Sequence, residues 1–220
     1  MEPMIEISNA TKKYKETTAL NKISLIIEKN KITGLIGRNG SGKTVLLKCI
    51  CGLVSLTSGS ITIQGKKLGA DIEKPDNIGA IIENPGFLNE FSGYKNLEFL
   101  ASIHHKIGKK DILKTLELVG LDSKSKKKVG KYSLGMKQRL GIAQAVMENP
   151  EILIFDEPTN GLDNNGVKEF RKLILQLKSE GKTIVMASHN AGDIEMLCDI
   201  VYELDGGILI NTNPKNNISF

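Results

Sequence analysis

Gly37-Arg38-Asn39-Gly40-Ser41-Gly42-Lys43-Thr44 constrains this chain more than any other stretch. It satisfies G-x-x-x-x-G-K-[ST], and chance supplies that pattern in a chain of this length with a probability on the order of one in a hundred. Residues 31–36 upstream read as a short buried strand, and 45–50 downstream as the first turns of a helix. Strand, glycine loop and helix together form an anion cradle. Glycines let successive N–H groups turn inward, and the helix N-terminus adds partial positive charge. Lys43 is expected to face solvent and reach β- and γ-phosphates, with the Thr44 hydroxyl on Mg²⁺. A bare strand-to-helix turn with an incidental lysine is the plainer alternative, and the flanking elements weigh against it.

The 220 residues suit one large domain, or a core with a subdomain. No apolar run approaches the roughly 20 residues of a membrane span, and the acidic start lacks a signal core, so export is not expected. Cys49, Cys51 and Cys198 have no metal spacing, which fits a reduced, cytosolic protein. A net charge of +5 suits an anionic ligand, a membrane surface or nucleic acid. The lysines at 124 and 126–128 lack interleaved aromatics and read as a solvated loop, so no nucleic-acid partner is expected.

Along the chain, strand patterns at 5–7, 23–27, 31–36, 58–66 and 78–82 give way to helical spacing from about 92 to 147. Tyr94, Leu97, Leu100 and His104 share one face, Ile112, Leu116 and Val119 another, and Met136, Leu140, Ala143 and Met147 a third. His104 and His105 show no partner pattern and read as surface or helix-end residues. Strands return at 151–155 and 183–187, separated by a helix carrying Val167, Phe170, Ile174 and Leu177. The expected fold is therefore α/β, a mostly parallel sheet with helices on both faces, an N-terminal antiparallel part and an inserted helical subdomain. Residues 1–86 and 148–220 form the core and 87–147 the helical insert of a single domain. The polar end, 211–220, is expected to fray.

Ligands in such sheets lie at the C-terminal strand ends, where the glycine loop, Asp156-Glu157 and His189 all fall. Asp156 is placed to bind Mg²⁺, directly or through water, and Glu157 to accept a proton from the attacking water. A solvated strand end is the alternative for this pair. His189 fits either a hydrogen bond to the γ-phosphate or a satisfied core histidine, and the constellation favours the phosphate. Ser133 precedes a helix as an N-cap, and Gly135 permits close approach of a ligand.

Over nearly its whole length the chain resembles the nucleotide-binding subunit of ABC transporters. Gly37 to Thr44 matches Walker A, and Ile152 to Glu157 matches Walker B with its glutamate. Tyr132 to Gln138 resembles the signature motif, Asn160-Gly161-Leu162-Asp163 the D-loop, and His189 the switch histidine. The resemblance implies an ATPase that uses ATP and Mg²⁺, with Tyr14 stacking on adenine. It also implies two subunits packed head to tail, identical or related, Ser133 and Gly135 acting on the partner's γ-phosphate. A separate multi-span permease is the implied membrane partner, with this subunit peripheral on the cytoplasmic face. Leu134 and Met136 depart from the family's glycine and glutamine, and Glu83 stands where the Q-loop glutamine is usual, an implied Mg²⁺ contact. These departures resemble exporters of peptide antibiotics of the bacitracin and lantibiotic-immunity type. After Glu83, the stretch Pro85-Gly86-Phe87-Leu88-Asn89-Glu90-Phe91 is expected to offer Phe87 and Leu88 to the permease, with Phe91 equally suited to anchoring the helices.

The runner-up is a soluble ABC-type ATPase working without a transporter. Roughly ninety residues without heptads separate Walker A from the signature, unlike the coiled coils of DNA-maintenance relatives. Translation-factor relatives carry two cassettes, and a regulator without hydrolysis has no need of Glu157.

Overall fold

Apolar residues at alternate positions make the N-terminus a long hairpin, β1 (Pro3–Tyr14) and β2 (Thr17–Glu28). Ile23, Leu25 and Ile27 turn inward while Ser24 and Ile26 face out. The structure, a computed structural model, describes residues 3–83 and 86–214. After β3 (Ile32–Ile36) come α1 (Lys43–Ile50), β4 (Ser58–Ile63), β5 (Lys66–Lys67) and β6 (Ile78–Ile81). Helices α2 (Gly93–His104), α3 (Lys109–Leu118) and α4 (Leu134–Val146) follow. The chain ends through β7 (Ile152–Asp156), α5 (Asn164–Ser179), β8 (Thr183–Ala187), α6 (Ala191–Leu197), β9 (Ile200–Asp205) and β10 (Ile208–Pro214).

Strands β2-β1-β4-β5 form an antiparallel sheet, and β10-β9-β3-β8-β7-β6 a second one, parallel except for β10. The parallel strands are continuously apolar because both faces are covered. Ile152 and Ile154 of β7 join the core shared with α1 and the antiparallel sheet, while Leu153 and Phe155 join the core under the other helices. Tyr202 crosses between the sheets, its hydroxyl donating to the Ile26 carbonyl at 2.8 Å. Burial dominates the thiols at the end of α1, pushing Cys49 up to about 11 and Cys51 to about 12.

The helical spacings translate into burial: Leu97, Ile112, Leu116, Val119, Leu140, Ala143 and Met147 are buried, with Tyr94, Leu100 and Met136 packed beside them. Helix α4 presses directly on the sheet at Gly79, where an added Cβ would stand 1.8 Å from the Ala145 carbonyl oxygen. Gly79→Ala is therefore expected to cost on the order of 3 kcal/mol, the upper range for overpacking, read as a lower urea midpoint at unchanged slope.

Four details differ from the sequence reading. The strand at the N-terminus runs on through Thr11–Tyr14, because β2 and β4 pair along it. The single strand expected at 58–66 is a hairpin, since Gln64 (φ 49°) and Gly65 (φ 76°) form a two-residue turn of the kind that matches strand twist. His104 has a partner: its Nδ1 lies 3.0 Å from a Glu148 carboxylate oxygen. Of the end expected to fray, residues 211–214 pair with β9, a contact made by backbone and therefore invisible in their polar side chains, while 215–220 lie outside the described residues.

Candidate nucleotide-binding site

The loop from β3 to α1 has no room for side chains at two of its glycines. A Cβ at Gly37 (φ 140°) would lie 2.0 Å from the Leu204 carbonyl oxygen, and one at Gly42 (φ 104°) 2.6 Å from that of Ala19. Helix α1 starts without a side-chain cap and without an acidic residue in its first turn, so its leading N–H groups stay available. Ser92, Ser133, Asp163 and Asn190 cap α2, α4, α5 and α6. The Ser41 hydroxyl is buried and, among the described residues, has no hydrogen-bond partner. Free donors at a positive helix end and an orphaned hydroxyl fit a phosphate chain. A cavity of about 550 Å³ opens over them, lined also by Thr44, Lys48, Glu83, Gln138, Asp156, Glu157 and Asn160.

Lys43 corrects an expectation. Rather than facing solvent it is 6% exposed, its Nζ donating to the carbonyls of Gly37 (2.6 Å) and Arg38 (3.0 Å). The ammonium thus staples the loop it belongs to; Arg38, Asn39 and Gly40 are exposed.

Asp156 ends β7 nearly buried and accepts a 2.7 Å hydrogen bond from Thr44 Oγ1. Burial raises its carboxyl above the usual aspartate range; the Thr44 bond opposes this, Glu157 and Glu83 add repulsion and Lys43 offsets part of it. Glu157 adopts a left-handed backbone (φ 49°), costly for a glutamate, with its N–H donating to the Ala187 carbonyl. His189 Nδ1 lies 2.7 Å from Glu157 Oε2, which also accepts from the His189 backbone N–H at 3.4 Å. Its side chain is 63% exposed, which removes the core-histidine alternative. Among the described residues no three His, Cys, Asp or Glu side chains gather to hold a metal. The donors present, a carboxylate and a hydroxyl, suit Mg²⁺ in the mode where substrate phosphates and water complete the shell.

Ser133 Oγ accepts from the Met136 N–H at 3.2 Å, capping α4, and Gly135 passes so close to the Gly161 carbonyl that a Cβ would lie 2.9 Å from it. Leu134 is 62% exposed and leans on Gly161. Neither Ser133 nor Gly135 lines the cavity, and Tyr14 does not either; its ring packs 4.9 Å from Lys12 Nζ. The sequence reading missed Lys48, and it gave Gln138 and Asn160 no place in the cavity. Gln138 Nε2 donates to the Pro158 carbonyl at 2.9 Å, tying α4 to the segment after Glu157. Its signal was present in a polar residue on the inward face of a helix. Thr159, in the same segment, donates to buried Asp193, which Arg171 also pairs at 2.6 Å.

Fold and site together define a phosphate-loop nucleotide-binding cassette. The family model described as ABC transporter matches residues 20–160. An uncharacterized ABC transporter ATP-binding protein of Bacillus subtilis (strain 168), YybJ, is 48% identical over 94% of both chains. The bacitracin transport ATP-binding protein BcrA of Enterococcus faecalis is 44% identical over 96% of this chain and 69% of its own. The lantibiotic transport ATP-binding protein SrtF of Streptococcus pyogenes is 42% identical over 94% and 90%. A dimeric, post-hydrolysis structure of the ATP-binding cassette MJ0796 with ADP and Pi superposes with a TM-score of 0.90, at 25% identity over 98% of this chain and 100% of that one. The chain belongs to the ABC transporter family, as an ATP-hydrolysing subunit. These relatives decide against a cassette that works without a transporter.

Proposed function

We propose that this subunit powers export of a peptide antibiotic, of the bacitracin or lantibiotic kind, through a separate multi-span permease. The observation that carries the reading is the likeness, over almost the whole chain, to BcrA and SrtF, proteins named for transport of those peptides. Among the described residues no helix is long and apolar enough to cross a membrane, and in this reading the permease supplies the path across. The subunit then lies on the cytoplasmic face of the membrane, held by the permease.

In this reading two cassettes pack head to tail, each ATP lying between one phosphate loop and the other copy's Ser133 and Gly135. The uncapped start of α1, the Ser41 hydroxyl and Lys43 hold the phosphates, and Tyr14 stacks on adenine. Thr44 and Asp156 hold Mg²⁺, with Glu83 as a further contact. When bound, the ion neutralises charge on the β- and γ-phosphates. Glu157 accepts the proton of the attacking water, and His189, fixed through Nδ1, turns its other nitrogen toward the γ-phosphate.

The permease contact needs revision at one residue. Pro85 falls outside the described residues, and Phe87 packs against the apolar core, so its substitution would confound folding with docking. Leu88 (49% exposed) and the edge-to-face pair Phe91–Phe99 are the outward groups. Leu88→Asp with Phe91→Asp is expected to keep ATP binding yet abolish co-purification with the permease and resistance in cells. A strain lacking this subunit should become more sensitive to bacitracin- or lantibiotic-like peptides. Unchanged sensitivity rejects the substrate class, while retained assembly of the double variant rejects the docking surface.

A further inference from the structure

Thr44 and Lys48 lie one turn apart on the same face of α1, and each reaches a carboxylate across the cavity. Thr44 Oγ1 bonds Asp156 at 2.7 Å; Lys48 Nζ pairs with Glu83 Oε1 at 2.8 Å. Glu83 follows β6 in a left-handed conformation (φ 59°), an uncommon state for a non-glycine residue. Its side chain is 61% exposed, and among the described residues its carboxylate has no partner except Lys48. Burial therefore does not fix this carboxylate at the cavity wall; a single solvent-facing ion pair does, and such pairs are weak and readily exchanged. Lys48 is anchored by a helix while Glu83 stands on a connecting segment, so the lysine is the fixed member and the carboxylate the movable one.

We propose that Lys48 is a positioning residue, tethering the Glu83 carboxylate beside the cavity and competing for it with the divalent cation that accompanies the nucleotide. This rests on the assignment of the cavity to a metal-bound nucleotide. The ammonium keeps Glu83 from closing on the cation prematurely, and release of the tether hands the site one more anionic oxygen.

The test is Mn²⁺ uptake by AMP-PNP-loaded protein, read as free Mn²⁺ by electron paramagnetic resonance, which needs no turnover. Lys48→Met and Lys48→Gln should each lower the half-saturating Mn²⁺ concentration roughly two- to fivefold, the weight of an exposed ion pair. In a Glu83→Gln background the same substitutions should have no effect. Tightening that persists in that background is mere removal of a positive charge and overturns the tether, as does unchanged uptake in both single variants. Wild-type protein that binds AMP-PNP but takes up no Mn²⁺ overturns the metal assignment itself, a failure distinct from equal uptake by wild type and variants.

Discussion

Glu157→Gln should lower ATP turnover by about 10²–10⁴-fold, the weight of a positioned general base, with little change in ATP affinity. The amide keeps the shape of the carboxylate and its oxygen can still accept from the His189 backbone N–H, so the substitution removes basicity and leaves the geometry. The residue has been given a left-handed backbone at the end of a buried strand, which turns its side chain out of the sheet line into the cavity. Asp156 does not take over, because it is nearly buried and its Oδ2 is engaged by Thr44. An ATP-bound pair of subunits should accumulate, visible by light scattering after gel filtration. Wild-type turnover in this variant would refute the role of Glu157.

Lys43→Ala should weaken ATP binding by about 10- to 150-fold in calorimetry, the range for losing one hydrogen bond to a charged group. The free protein should change too. Lys43 is buried against its own loop, so alanine frees the Gly37 and Arg38 carbonyls and loosens the loop before any nucleotide arrives. A drop in melting temperature is therefore expected alongside the lost affinity. Lys43→Arg should not restore binding, because a planar fork cannot fill the niche of a compact ammonium. Unaltered affinity in the alanine variant would remove the phosphate loop from nucleotide binding.

The features legible in the sequence were those that depend on neighbours along the chain. Glycines at 37, 40 and 42, a continuous apolar strand ending in Asp156, and helical spacing through Leu97 or Ile112 each declare themselves within a dozen residues. What stayed hidden was pairing at a distance. The Lys48–Glu83 contact joins positions 35 residues apart with no local pattern; Gln138 shows as a polar residue on an inward helix face, but its partner Pro158, 20 residues on, does not. The loop after Glu83 shows the same limit. Phe87 and Phe91 are chemically equivalent in sequence, and only the path of the backbone turns one toward the core and leaves the other outside.

Helix α4 begins at the capping Ser133, crosses Gly161 through Leu134 and Gly135, bonds Pro158 through Gln138, and ends pressed on the sheet at Gly79. Such a rod cannot tilt at one end without dragging the segment that carries Glu157. In the head-to-tail pair proposed above, the rod's free end meets the neighbour's ATP while its grip stays on its own Glu157 segment. On that proposal each half acts as the other's crank.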